Sequence, residues 1–152
     1  MVVWCTHSIC YGFHCIPASE GRNEVFSAIY THWKKAPEVV VYDFACNLQP
    51  YCMTREPRFF QNTLFVVDLF HSAGHNKCGK ASFLVNYFDT NPDLMQVNSS
   101  AAECGNHGLN RIRKSVSFMG QDRAIVYTRT FLCIWNRMRI RQSEEARRRY
   151  NK

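Results

Sequence analysis

The sequence predicts an α/β fold, and three observations carry that prediction. Residues 38–44 are rich in β-branched valine, residues 20–35 repeat apolar side chains at helical spacing, and residues 2–16 alternate loosely among Val, Trp, Ile, Tyr and Phe. Strand, helix and strand in succession are the signature of a layered α/β domain. A chain of 152 residues suits one such domain and can bury a sizeable core.

Taken in order, residues 2–16 predict a strand or a bent strand pair, closed by the turn residues of "PASEG". From Glu20 to Lys35, Val25, Phe26, Ile29, Tyr30 and Trp33 share one helical face. Lys34 and Lys35 suit the negative end of that helix, and Pro37 stops it. The strand of residues 38–44 follows. Residues 46–62 predict a helix interrupted near Pro57, and "NTLFVVDLF" is a strand or a buried helix that its period does not decide. Residues 71–98 lack a period. The serines of "SSAAECGNHGLNRIRKSVSFM" suit a helix start, and Leu109, Ile112, Val116 and Met119 form one stripe, although Gly105 and Gly108 weaken the helix. A last helix over about 121–140 carries Ile125, Phe131, Leu132, Ile134, Trp135 and Met138. No repeat or low-complexity tract interrupts this order.

Composition excludes several classes. No run approaches the roughly 18 apolar residues of a membrane span, so no membrane partner is expected. The opening "MVVWCTHSICYGFHCI" lacks a charged n-region and a long apolar h-region, so no secretory signal is evident, and eight irregularly spaced cysteines read as reduced thiols of the nucleus or cytoplasm. Strand-like sequence begins almost at Met1, as in a chain cut from something longer. The net charge of +7 is concentrated: residues 137–152 hold seven Lys/Arg against Glu144 and Glu145. Such a tail, 141–152 in particular, contacts phosphates or forms a solvated helix end.

Three groups carry candidate chemistry. Asp43 stands at the carboxyl end of the valine strand, where α/β sheets place function; its alternative role is to cap the helix that starts near Cys46. A carboxylate ending a buried strand wants a donor, a base or a metal. Glu103 opens a helical side that continues through Asn106, His107, Asn110, Arg113 and Lys114. That side is a cation ligand leading into a phosphate-binding stripe, or simply a solvated face. In "DLFHSAGHNKC", His71, His75 and Cys78 share a face if helical, and imidazole with thiolate suits Zn²⁺, with Cys46 or Cys52 as a fourth ligand. The cluster Cys5, His7, Cys10, His14 and Cys15 reads instead as buried thiols, because an extended strand does not face them one way. A phosphate-cradling Gly-rich loop, a Gly-x-Ser-x-Gly elbow and a His-Glu-x-x-His helix are all absent from the sequence.

The order "VYDFAC" (41–46), "FHSAGHNKC" (70–78) and "SSAAECGNHGLNRIRKS" (99–115) resembles the Kyakuja–Dileera–Zisupton transposases and their cysteine-cluster-associated relatives. "GFHC", "EGRNEVFSAIYTHW", "MTREPRFF" and "FLCIWN" fit the same group, so the resemblance covers most of the chain. It implies a partial ribonuclease-H-like, DDE transposase/integrase-like core over 1–140, with a His/Cys-containing insertion over about 60–98, C-terminal helices, and a basic tail over 141–152. Asp43 matches the second catalytic aspartate, Glu103 the closing glutamate, and His71, His75 and Cys78 the His-x3-His-x2-Cys element. The implied cofactors are Mg²⁺ or Mn²⁺ at Asp43 and Glu103, and Zn²⁺ at His71, His75 and Cys78. In that chemistry two such cations activate a water or a DNA 3′-hydroxyl and stabilise the leaving oxygen. DNA is the implied partner, met through Arg113 and Lys114; oligomerisation stays open, and the nucleus is the implied compartment.

One departure matters. The first catalytic aspartate of the family has no match, since the residues ahead of Asp43 include only Glu20, Glu24 and Glu38 as acids. Asp68 is a substitute in principle. Cys104 after Glu103 also departs from the usual closing context. The chain in isolation is therefore expected to be inactive in DNA strand cleavage and transfer, as a fragment, a decayed copy or a domesticated piece. The rival expectation is a non-catalytic DNA- or protein-binding module, stapled by zinc.

Overall fold

The computed structural model describes residues 1–16 and 19–150; Pro17 and Ala18 of the expected turn and the last two residues of the basic tail lie outside the described residues. The fold is mixed α/β with two small sheets. It divides into two compact units: Met1 with His14–Ser99, and Val2–Phe13 with Ser100–Lys152. Each is described by itself.

The 14–99 unit is built on a parallel strand pair. The valine strand, β3 (Val39–Val41), pairs with β4 (Leu64–Val66) in the register Val39↔Leu64, Val40↔Phe65, Val41↔Val66. The strand option for "NTLFVVDLF" is therefore the one the chain takes, and β4 lies inside the segment expected to be an insertion. Parallel neighbours need a crossover of a dozen or more residues. Here α2 (Ala45–Arg55) and α3 (Pro57–Phe60) supply it, and the break falls where Pro57 takes the first helical position. Helix α1 (Arg22–His32) precedes β3.

Alternation along β4 feeds both faces of the sheet. Phe65 and Val67 join Val25 and Ile29 of α1, Leu48 and Cys52 of α2, and Phe60 of α3 in one buried cluster. Val66 points the other way and packs with Leu84 and Leu94. Both leucines come from the stretch without a period, which forms α4 (Leu69–Ser72) and three short 3₁₀ turns at Lys80–Ser82, Leu84–Tyr87 and Pro92–Gln96. So a segment with no amphipathic signal still closes the second face, with one leucine from each of the last two turns.

In the other unit, β1 (Val2–Trp4) and β2 (Cys10–Phe13) form an antiparallel pair, with an irregularity between Val3 and Trp4, and Ser8 in the loop takes a positive φ of 56°. The pair lies against α5 (Ala101–Ser117) and α6 (Gln121–Tyr150). The two glycines that weaken α5 in the sequence have a packing reason. A Cβ at Gly105 would overlap the Trp4 indole, and one at Gly108 would overlap the Trp135 indole. The two rings meet edge to face at 6.2 Å. Each indole N–H donates: Trp4 to Asn106 Oδ1 at 3.0 Å, Trp135 to the Ser8 carbonyl at 2.8 Å. The Asn136 amide takes the Cys10 N–H and donates to the Cys10 carbonyl, both at 2.8 Å, imitating a further strand. Helix α6 continues through the basic tail to Tyr150, ten residues beyond the expected end, and Arg147, Arg148 and Arg149 fall in its last turn.

Candidate metal centre

The strand register sets up the site. Asp43 and Asp68 each follow by two residues the last pair of the parallel strands, Val41↔Val66, and Asp43 lies in the turn after β3. The carboxyl ends of parallel strands are where α/β sheets expose functional groups. The two acids sit in different surroundings: the Asp43 side chain is 60% exposed and the Asp68 side chain 4%. The costly buried carboxylate is thus Asp68, not the one that ends the valine strand. It is satisfied by His71, accepting from the backbone N–H at 3.0 Å and lying 2.7 Å from the ring Nδ1. The same Nδ1 is 3.2 Å from Asp43 Oδ1. Asp43 does not take up the capping alternative, since the residue at the start of α2 is Phe44.

Beside this group lies a second one. Cys46 is carried by the first turn of α2, three residues after Asp43, and His75 and Cys78 by the turns after α4. The helix expected to align His71, His75 and Cys78 ends at Ser72. Instead the Cys78 N–H donates to the His75 carbonyl at 3.1 Å, and that turn brings the two side chains together. The His75 Nδ1 lies 3.6 Å from Cys46 Sγ and 3.4 Å from Cys78 Sγ. The three ligand atoms all fall within 4.8 Å of one another, and all three residues are half-buried. Among the described residues this is the one such group of three or more His, Cys, Asp and Glu.

These spacings fit zinc. With Zn–S of about 2.3 Å and Zn–N of about 2.0–2.1 Å, a tetrahedral ion spans an N···S edge of about 3.6 Å. Sulfur and imidazole donors are also the set that zinc prefers. The Cys78 thiol is held above its ordinary pKa, chiefly by its hydrogen bond with the Cys46 sulfur and then by desolvation. Ligation requires both thiols to lose their protons, so zinc binding at this group works against the raised pKa of Cys78.

The remaining expected residues fall elsewhere. Cys52 is wholly buried in the core and its thiol is pushed up to about 11 by burial, so of the two suggested extra ligands only Cys46 is placed for the role. His71 directs its Nδ1 to carboxylates rather than to the sulfur group. Glu103 lies in the first turn of α5, in the other unit, exposed at the head of the stripe that continues through Arg113 and Lys114. Near the start of the chain, Cys10 is buried, its thiol raised to about 11 by desolvation, but Cys5 is half-buried and Cys15 is exposed, so the buried-thiol reading of that cluster holds for Cys10 alone. The pairing of Asp43 with His71 escaped the sequence reading. Its one signal was that both apolar runs, "VVVYD" and "LFVVD", end on an aspartate.

No helix among the described residues is long and apolar enough to cross a membrane. No protein-family model matches the chain, and comparison with curated proteins and with solved structures finds no similar one.

Proposed function

We propose that the chain is part of a DDE-type DNA transposase core of the Kyakuja–Dileera–Zisupton kind, on a partial ribonuclease-H-like fold, with a zinc staple beside its catalytic aspartate. The observation that carries this reading is the position of Asp43: an exposed carboxylate just past the end of a parallel strand, capping no helix, 3.2 Å from the His71 ring nitrogen that also meets Asp68. The motif resemblance then supplies the reaction class. Asp43 would hold a Mg²⁺ or Mn²⁺ through its carboxylate oxygens, the donor type those cations prefer. Glu103 is assigned as the closing glutamate, and Arg113 and Lys114, exposed on the same helix, hold DNA phosphates. When bound, the divalent cations supply an activated oxygen nucleophile and charge stabilisation for in-line displacement at phosphorus.

Because no aspartate precedes Asp43, strand cleavage is assigned to a polypeptide that also contributes that acid. The test is nicking and strand transfer on plasmid DNA by a polypeptide extended upstream of Met1. Mn²⁺-dependent nicking that disappears in Asp43→Asn and in Glu103→Gln supports the reading. Equal nicking by the extended wild type and both variants defeats it.

A second reading is favoured by the Cys46, His75 and Cys78 group: a non-catalytic DNA- or protein-binding module in which zinc only staples the fold. One equivalent of zinc, lost in Cys78→Ser, together with no response of any property to Mg²⁺ or Mn²⁺, selects it over the first.

A further inference from the structure

The two groups at the strand ends are carried by the same two segments. Residues 43–46 supply Asp43 and Cys46, and residues 68–78 supply Asp68, His71, His75 and Cys78. The segments are therefore tied together twice. One tie is the Cys46, His75 and Cys78 set, with Nδ1 to sulfur distances of 3.6 and 3.4 Å. The other is the His71 ring, whose single Nδ1 reaches Asp68 at 2.7 Å and Asp43 at 3.2 Å. Asp68 is the fixed end of this second tie: it is nearly buried and also takes the His71 backbone N–H. Asp43 is the exposed end, with most of its side chain in solvent.

We propose that His71 is a positioning residue rather than a zinc ligand, and that zinc bound by Cys46, His75 and Cys78 acts through it to strengthen cation binding at Asp43. The inference rests on the reading of Asp43 as a ligand for Mg²⁺ or Mn²⁺. Its physical content is a loss of freedom taken in advance. In the metal-free chain, the loop holding Asp43 and the turn holding His71 must be ordered when the oxygen-seeking cation binds. With zinc joining position 46 to positions 75 and 78, that ordering is already done, and the second cation binds to a preorganised carboxylate. Coupling of this kind is reciprocal, so Mn²⁺ at Asp43 also tightens zinc.

The experiment measures Mn²⁺ binding to the full chain by the loss of the free-ion electron paramagnetic resonance signal, with and without one equivalent of zinc. We expect zinc to tighten Mn²⁺ by about fivefold or more, the lower end of ordinary coupling between sites. His71→Ala should abolish that gain while keeping one zinc, and its Co²⁺-substituted form should keep the sulfur-to-cobalt charge-transfer band of the wild type. His71→Asn, whose amide N–H lies near the position of Nδ1, should restore most of the gain. Equal Mn²⁺ affinity with and without zinc overturns the inference, and so does loss of the zinc or of the Co²⁺ band in both His71 variants, which would make His71 a ligand. A distinct failure is Mn²⁺ binding that Asp43→Asn leaves unchanged. That outcome removes Asp43 as a cation ligand, and the reading beneath the inference falls with it.

Discussion

Removing zinc should destabilise the unit that holds it, by an amount the geometry allows to be sized. The three donors already stand at the N···S spacing of a tetrahedral zinc, so little distortion opposes binding. Zinc at a hundredfold excess over its dissociation constant contributes about 2.7 kcal/mol to folding. For a cooperative unit of about 60–100 residues, each kcal/mol moves the melting temperature by about 4–8 °C. Chelation, or Cys78→Ser, should therefore lower the transition of the 14–99 unit by about 10–20 °C. Scanning calorimetry of the zinc-loaded chain, the chelated chain and the variant measures this, with metal content read by mass spectrometry. The binding should also weaken as pH falls, since both thiols must lose protons and Cys78 holds its proton above the ordinary range. A chain that carries no zinc after dialysis against it, or whose transition ignores the chelator, would refute the argument from spacing.

Three further outcomes follow from the packing and the charges. Gly105→Ala and Gly108→Ala should each destabilise the helical unit by about 1–2 kcal/mol in thermal or urea melts, because overlap with an indole costs about 1–3 kcal/mol and outweighs a helix-propensity gain of about 1 kcal/mol. A stabilised Gly108→Ala would contradict the placement of Trp135. Stability should fall as pH rises from about 9 to about 11, because the folded chain keeps the protons on buried Cys52 and Cys10 past the point where the unfolded chain releases them; Cys52→Ala should lessen that decline in urea titrations and leave the share of Cys10. Arg113→Glu with Lys114→Glu should weaken binding to duplex DNA and lower the slope of log affinity against log salt by about two, while a slope equal to the wild type would remove these residues from the DNA interface.

The candidate site was half legible. Asp43, His75 and Cys78 could be named from residue type and spacing, and Cys46 stood among the options for a further ligand. The grouping was not legible, because the spacing argument assumed a helix from His71 to Cys78. The chain stops that helix at Ser72, and the turn beyond it separates His71 from His75 and Cys78. Asp68 is legible in the sequence as a member of the His/Cys segment and as a substitute for a missing acid, not as the buried partner of His71. Its hold on His71 is local, an N-cap contact at the start of α4, whereas the reach of the same ring to Asp43 joins segments that are distant in sequence and that the β3–β4 pairing brings to one end of the sheet.

Local chemistry was enough to settle the order of elements. Valine runs, a 3.6-residue apolar period and Pro57 fixed β3, α1 and the break between α2 and α3, since each depends on neighbours within a turn or a strand. What the tertiary structure alone decided is which distant residues meet. Parallel pairing brought two aspartates to one imidazole, one turn delivered another imidazole between two thiols, and two indoles found the glycines that looked like flaws in α5. Periodicity records which face a residue occupies, but not which surface that face will touch, and the chemistry proposed for this chain lives in the second of these.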